Sequence, residues 1–341
     1  MIVESYLNGI LPRSDLALQL GSSWLRGRET KEAYNGQREK ETLEYIKLQH
    51  KLDFDYIVDR QLFWDDFLRP VSEALGLHPD GSNANENPVT RQIYTNTFYR
   101  KPLIRKRPEN ASVRMIDDRF IKLIEQGKRK IILPSPFAIA YLSDGMHKGE
   151  NNRLNNNFVD MLFDIAKILN QEAKRLQDES NISFVQFNDP CMLYAEEANN
   201  FWNEIAASLE TATKGLSITT SLHLYNGDAS RFSEKIFMLP VDRIGVDAYT
   251  TDLSRYKQQK FGKFLELGII NSKNSLVEQP EALAKYARQI IDSLNPEGLA
   301  LVPNRPLELV PQHIAVQKME SLSKAKELLK NEIIISDTGS R

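Results

Sequence analysis

Three side chains of the kinds used in acid–base chemistry, Asp189, His223 and Asp247, close apolar runs in this chain. Residues 215–228 read G-L-S-I-T-T-S-L-H-L-Y-N-G-D. The β-branched and apolar run 216–222 is a buried strand that delivers His223 to a polar turn containing Tyr225, Asn226 and Gly227. Asp189 follows the strand-like run 182–187 in N-D-P-C, and Asp247 follows 243–246 in D-A-Y. An imidazole flanked by carboxylates can exchange protons near neutral pH or ligate a metal. Other runs end in binding groups: Arg13 and Ser14, Asp59 and Arg60, Ser135, Asn271 and Lys273, Asn304 and Arg305. Arg13, Arg60, Lys101, Lys273 and Arg305 are candidate partners for a ligand carboxylate, which a guanidinium matches in shape. Taken singly, each is better explained as a solvated loop residue or a helix cap, and Lys101 as a surface charge. The joint pattern is what points to a site.

The elements that must position these groups alternate. Strands centred near Val3, Tyr56, Ile131, Ile182, Ile218, Ile244, Leu265 and Leu299 number about eight, with helical patterns between them. That is the count of a (β/α)8 TIM barrel, whose chemistry sits where the strands end. His223 is then expected at the barrel mouth. The first strand reads as 3–11, and an apolar helical stripe runs from Phe63 to Leu75. The charged segment 26–49 is loosely helical. The strongest helical period is 158–177, and 280–294 forms a helix with Pro280 at its start. Between them lies an excursion at about 77–110. It opens as a Gly/Pro/Asn loop (77–88) and continues as an extended, hairpin-like stretch (89–104). An asparagine-rich tip at 151–157 is expected to be flexible. Residues 1–335 form one domain, closed by a helix around 322–329, and 336–341 form a disordered tail.

Composition narrows the classes. The 341 residues carry a formal charge of -2 and are 41% hydrophobic, enough for a large core and with no basic excess for nucleic acid or an anionic membrane. One cysteine, Cys191, excludes an intramolecular disulfide and a cysteine-rich zinc cluster. No apolar run approaches a membrane span, and the acidic N-terminus is not a signal peptide, so the expected compartment is the cytoplasm.

The strand-end segments resemble those of the cobalamin-independent methionine synthase family. Y-I-V-D-R-Q-L-F-W-D-D-F-L is similar to that family's strand ending in aspartate before a D-D helix. K-I-I-L-P-S-P-F-A-I-A-Y-L resembles its P-G-P-x-T-L-A segment, and F-V-Q-F-N-D-P-C-M-L its I-Q-I-D-E-P-A-L. S-L-H-L-Y-N-G-D resembles H-x-C-Y-G-N, L-G-I-I-N-S-K-N-S-L-V-E resembles G-V-x-D-x-K-S-x-x-V-E, and L-V-P-N-R-P-L resembles P-D-C-G-L. Six weak motifs in order across nearly the whole chain make a fairly specific set.

The resemblance implies a zinc site built from a histidine, a cysteine two residues later, a glutamate at the end of the next strand and a cysteine near the last strand. Only His223 matches. Tyr225, Asp247 and Arg305 stand at the other positions, and a guanidinium offers a metal no lone pair. No bound metal is therefore expected. The opening L-P-R-S-D-L-A-L and the segment V-T-R-Q-I-Y-T-N-T-F-Y-R-K-P are similar to the family's zinc-less N-terminal barrel. The resemblance then implies a free-standing barrel related to methyltetrahydropteroyltriglutamate–homocysteine methyltransferase and inactive alone. Such a barrel would bind methyl-tetrahydrofolate or a related pterin and work with a zinc-bearing catalytic chain in methionine biosynthesis. Two other readings stay open: a non-catalytic scaffold or binding protein, and a zinc-free acid–base enzyme using Asp189, His223 and Asp247.

Overall fold

The structure is a computed structural model. It describes residues 1–59, 61–77, 89–91, 98–108, 114–124, 128–149, 154–155, 157–256 and 262–339. Twelve strands are described: β1 (Ile2–Ser5), β2 (Tyr56–Ile57), β3 (Val89–Arg91), β4 (Phe98–Arg100), β5 (Leu103–Ile104), β6 (Lys128–Pro134), β7 (Asp144–Gly145), β8 (Phe184–Asp189), β9 (Thr219–Leu224), β10 (Arg243–Asp247), β11 (Phe264–Ile270) and β12 (Gly298–Pro303). Eight of them form one sheet in the order β1-β12-β11-β10-β9-β8-β6-β2, and every pairing in it is parallel. The Asp55 amide donates to the Ser5 carbonyl at 3.0 Å, which draws β2 toward β1 and nearly closes the ring. These are the eight strands that the sequence pattern places.

The helices are α1 (Asp15–Leu25), α2 (Lys31–Lys51), α3 (Val71–Ala74), α4 (Arg119–Lys122), α5 (Pro136–Leu142), α6 (Asn157–Ser180), α7 (Glu197–Asn200), α8 (Trp202–Thr213), α9 (Pro280–Leu294) and α10 (Gln312–Gly339). Their starts follow from local chemistry. The Ser14, Thr30 and Ser135 hydroxyls accept the Ala17, Ala33 and Ala138 amides at the starts of α1, α2 and α5. Pro280 opens α9, and Asn295 ends it in the left-handed conformation. Two connections, Ala229–Met238 and Leu253–Tyr256, are tight 3-10 turns. The helical layer is thin there, outside β10.

The main core lies between sheet and helices, where α6 contributes Leu162, Ile165 and Leu169. A second, smaller cluster sits inside the barrel at its base: Tyr6, Tyr56, Phe184, Ala300 and Val302. Tyr6, Tyr56 and Phe184 pack edge to face with centroids 4.8–5.5 Å apart.

Several expectations shift. The first strand stops at Ser5 instead of Leu11, although residues 6–11 remain buried as irregular backbone. Of the stripe 63–75, only Val71–Ala74 is helical, because Pro70 interrupts the run and Asp66 caps the turn through the Leu68 and Arg69 amides. β3 and β4 pair antiparallel as the arms of the expected hairpin. Most of the excursion at 77–110 and of the asparagine-rich tip lies outside the described residues. The closing helix starts ten residues earlier than expected and reaches Gly339, into the segment expected as a tail.

Candidate functional site at the barrel mouth

Successive inward positions along the strands build three layers above the aromatic base. Arg243 lies lowest, its guanidinium 3.9 Å from the Phe264 ring centroid and bonded to Glu4 and Tyr6. One step up, Lys130 donates to the Leu7 carbonyl at 3.0 Å and to Gln186 Oε1 at 2.6 Å. Its ammonium lies 3.8 Å above the Tyr6 ring. Burial pulls the Lys130 pKa down to about 7, against the pull of Glu266 and with the help of Arg243. Across the barrel, His223 from β9 and Glu266 from β11 meet over Gly245, the intervening inward residue of β10. A Cβ on Gly245 would lie 2.0 Å from His223 Nδ1 and 2.7 Å from Glu266 Oε2, so only glycine leaves that space.

His223 is not at the open mouth. It is fully buried. Nδ1 lies 3.4 Å from Glu266 Oε2, in ion-pair range but outside hydrogen-bond alignment. Nε2 is 2.9 Å from Asn8 Nδ2 and 3.0 Å from the Asn304 carbonyl. Asn8 and Asn304 thus plug the space above the ring. Burial acts to raise the Glu266 pKa, but contact with His223 and the charges of Lys130 and Arg243 outweigh it and hold the carboxyl down at about 2. Tyr6 supplies a further hydrogen bond to Glu266 Oε1 at 3.0 Å.

The top layer gathers several of the residues expected at the site. Asp247 is fully buried. Its Oδ1 accepts the Tyr249 amide at 2.9 Å and Asn304 Nδ2 at 3.2 Å. Its Oδ2 has no hydrogen bond and lies 3.9 Å from Lys273 Nζ. Asn304 Oδ1 accepts from the amide and the hydroxyl of Ser272. Arg305, only 7% exposed, donates through Nε to Ser272 Oγ at 3.1 Å and through Nη1 to Asn226 Oδ1 at 3.4 Å. Burial lowers the Arg305 pKa, with Tyr225, Glu308 and Asp247 opposing, and the guanidinium keeps its charge. Tyr225 is buried and its phenol is pushed upward, chiefly by that burial. Asn271 uses its side chain to accept the Lys273 amide.

Other expected residues serve the scaffold. Asp189 Oδ2 accepts Ser135 Oγ at 2.5 Å and Oδ1 accepts the Cys191 and Met192 amides at 3.0 and 2.7 Å, so one oxygen ties β8 to the start of α5 and the other holds the turn after β8. Burial still raises its pKa despite those bonds. Ser135 and Ser14 are helix caps, and Ser14 also bonds Glu41. Arg13 Nη2 donates to the Leu62 and Trp64 carbonyls at 3.2 and 2.7 Å. Lys101 forms an ion pair with Asp144 at 2.7 Å. Asp59 accepts the Gln61 amide, and enclosure of its carboxyl raises its pKa to about 6. Arg60 lies outside the described residues.

The residues that escaped sequence reading are Asn8, Lys130, Gly245 and Glu266. Glu266 did leave a signal, a lone charge inside an otherwise apolar strand, whereas Lys130 is masked by Lys128 and Arg129 at the head of β6.

Beside the mouth lies a cavity of about 610 Å³, walled by Leu11, Arg13, Trp64, Phe98 and Val310, with Asp65 at its edge. Among the described residues, no three His, Cys, Asp or Glu side chains gather as a metal site. At the mouth, Arg305 and Tyr225 present a guanidinium and a buried neutral phenol, neither of which is a thiolate or imidazole ligand for zinc. No helix among the described residues is long and apolar enough to cross a membrane.

Comparison with known proteins gives a consistent picture. Residues 81–295, more than half of the chain, match the family described as cobalamin-independent synthase, N-terminal domain. The methionine synthase of Sulfurisphaera tokodaii is 25% identical over 248 residues, covering 71% of this chain and 69% of that protein. That of Thermococcus kodakarensis is 26% identical over 251 residues, covering 71% and 70%. The near-equal shares mean that these relatives are about as long as this chain. Among solved structures, the B12-independent methionine synthase from Shewanella sp. W3-18-1, in complex with selenomethionine, superposes with a TM-score of 0.74 at 17% identity. That superposition covers 98% of this chain and 100% of the other, and it shows the shared barrel fold.

Proposed function

The chain belongs to the cobalamin-independent synthase family, and from that premise we propose that it serves methyl transfer in methionine biosynthesis without a zinc centre of its own. In this reading it binds a reduced methyl-pterin of the folate type and presents it to a zinc-bearing chain that activates homocysteine. The observation that carries the reading is Arg305. Its guanidinium is built into the mouth by Ser272 and Asn226, at a position where the resemblance puts a thiolate. Zinc stabilises a bound thiolate and so makes a nucleophile at neutral pH. The mouth residues here cannot hold the metal, and a free thiol with pKa near 8.5 is mostly protonated at pH 7. What they offer is cationic: Arg305 and Lys273 face the mouth and suit a donor rich in carboxylates. The neighbouring cavity supports the reading, since Trp64 and Phe98 give a flat ring an aromatic wall and Asp65 can accept its N–H donors.

The test measures methyl transfer with this chain alone, a zinc-bearing relative alone, and both together. Activity that rises only in the mixture, with donor affinity weakened about tenfold by Arg305→Ala, is the expected result. Turnover by this chain alone at the rate of the mixture would overturn it.

One observation favours a second reading, an amino-acid-binding barrel. Asp247 Oδ2 is buried and unbonded, 3.9 Å from Lys273, a pairing able to receive an ammonium group. The Shewanella relative is of one-barrel length and holds selenomethionine. Calorimetry with methionine distinguishes the two: binding abolished by Asp247→Asn, with no effect on a partner's methyl transfer, selects the second.

A further inference from the structure

A second cavity, of about 540 Å³, lies outside the barrel between the ends of β10 and β11 and the first turns of α9. Tyr249 and Tyr286 face it, with Ala248, Ala282, Leu283 and Ile269 as its apolar surface. The two alanines matter, because larger side chains there would fill the space. The groups that are polar at this site are mainly acceptors. Tyr249 Oη donates to the Ile269 carbonyl at 2.8 Å and lies 3.5 Å from Glu278 Oε1. Glu278 is fixed in place by Lys318 at 3.0 and 3.1 Å and by the Asn271 amide at 2.8 Å. Gln279 adds an exposed amide at the rim. Burial raises the pKa of both tyrosines, with Glu278 adding to the effect on Tyr249, so both phenols stay neutral.

The geometry points to a binding site for a small neutral aromatic molecule bearing an N–H or O–H donor, of indole or phenol type. Its ring packs against Tyr249 and Tyr286, and its donor meets Glu278 or the Ile269 carbonyl. An aromatic carboxylate is disfavoured, because its charge would face Glu278 with no cation left over: Lys318 already spends its contacts on Glu278 and the Leu276 carbonyl. The site is coupled to the mouth from both sides. The Tyr249 amide bonds Asp247, and Glu278 holds the loop that carries Ser272 and Lys273. An occupant therefore stiffens the segments that position Asp247 and Lys273. This coupling rests on the mouth being functional, whereas occupancy of the cavity does not.

The experiment titrates the full chain with indole and, separately, with benzoate, by ligand-observed NMR and calorimetry. The same titrations are run on Ala282→Trp, which fills the cavity from an exposed helical position. Ala282→Leu serves if the tryptophan variant does not fold. Indole should bind at one site at least tenfold more tightly than benzoate, and either variant should weaken it at least tenfold with the thermal midpoint unchanged. Failure of indole to bind up to its solubility limit, equal binding of benzoate, or binding untouched by the variants would overturn the assignment. These outcomes are independent of the methyl-transfer assay, so failure of one reading does not carry the other with it.

Discussion

His223 stands at the strand end where the sequence puts it, yet it is packed inside the barrel instead of set at its open mouth. The strand that delivers it was legible in the sequence, because a β-branched run ending in H-L-Y-N-G has few other readings. Its burial was not, since that depends on Asn8 after β1, Asn304 after β12 and Glu266 in β11, three segments far apart in the chain. Gly245 is the clearest single test of this arrangement. Gly245→Ala places a methyl group where the His223 ring lies, and over-packing of this kind costs about 1–3 kcal/mol or somewhat more. The urea midpoint should fall accordingly. Pairing it with His223→Ala should recover part of the loss, because the clash partner is gone, and strict additivity of the two changes would show that the contact is not the cause. Zinc is the companion test. Metal analysis of the purified chain should find far less than one zinc per chain, and stoichiometric zinc lost on His223→Ala would show a rearranged ligand set. The strand-end aspartates were equally visible in the sequence, but their roles diverge. Asp189 spends one oxygen on its own turn and the other on Ser135, whereas Asp247 keeps one oxygen without a hydrogen bond.

At the scale of elements, the parallel strands were readable because each is largely buried and carries a cluster of apolar residues, even where an inward position is polar. Helices with strong stripes, α6 and α9, were placed almost to the residue. The misreadings share a cause: apolar residues are needed wherever chain is buried, regular or not. Residues 6–11 and 62–68 are mostly apolar because they cover the barrel end, and their backbone is irregular. The weakest part of the ring follows from the two-residue length of β2. Its junction with β1 rests on the Asp55 amide to Ser5 and the Ser5 amide to Asp55 Oδ2 at 2.7 Å. Lys326 of α10, almost fully buried, clamps this seam through Asp53 and through Asp55 at 3.2 Å. Lys326→Met should therefore speed hydrogen exchange of the amides in β1 and β2 while leaving β8 and β9 protected. Uniform acceleration across the sheet would mean that the clamp acts on global stability instead of on the seam.

Over the whole molecule, the barrel interior is a column of charge resting on an aromatic base. Glu4, Glu266, Arg243 and Lys130 share it, and their balance sets a pH dependence opposite to that of an ordinary salt-bridged lysine. In the unfolded chain Lys130 titrates near 10.5. In the barrel burial brings it to about 7, so it loses its proton in the fold before the unfolded chain does. Between these values the unfolded chain binds the extra proton, and stability rises with pH. Below pH 7 the ammonium is held in the column at a constant cost. The rise between pH 7 and 8.5 is roughly 1–2 kcal/mol by linkage, before the raised pKa values of Cys191 and the buried tyrosines act in the opposite sense at higher pH. Urea unfolding at the two pH values should show the midpoint moving upward in the native sequence and nearly still in Lys130→Met. That variant loses the bonds to Leu7 and Gln186, so its stability is expected to be lower at pH 8.5, where the native lysine is neutral and well bonded. At pH 7 the two should lie closer together. A native midpoint that falls over this range, or a slope that survives in Lys130→Met, would place the titration on another group and leave Lys130 charged in the folded barrel.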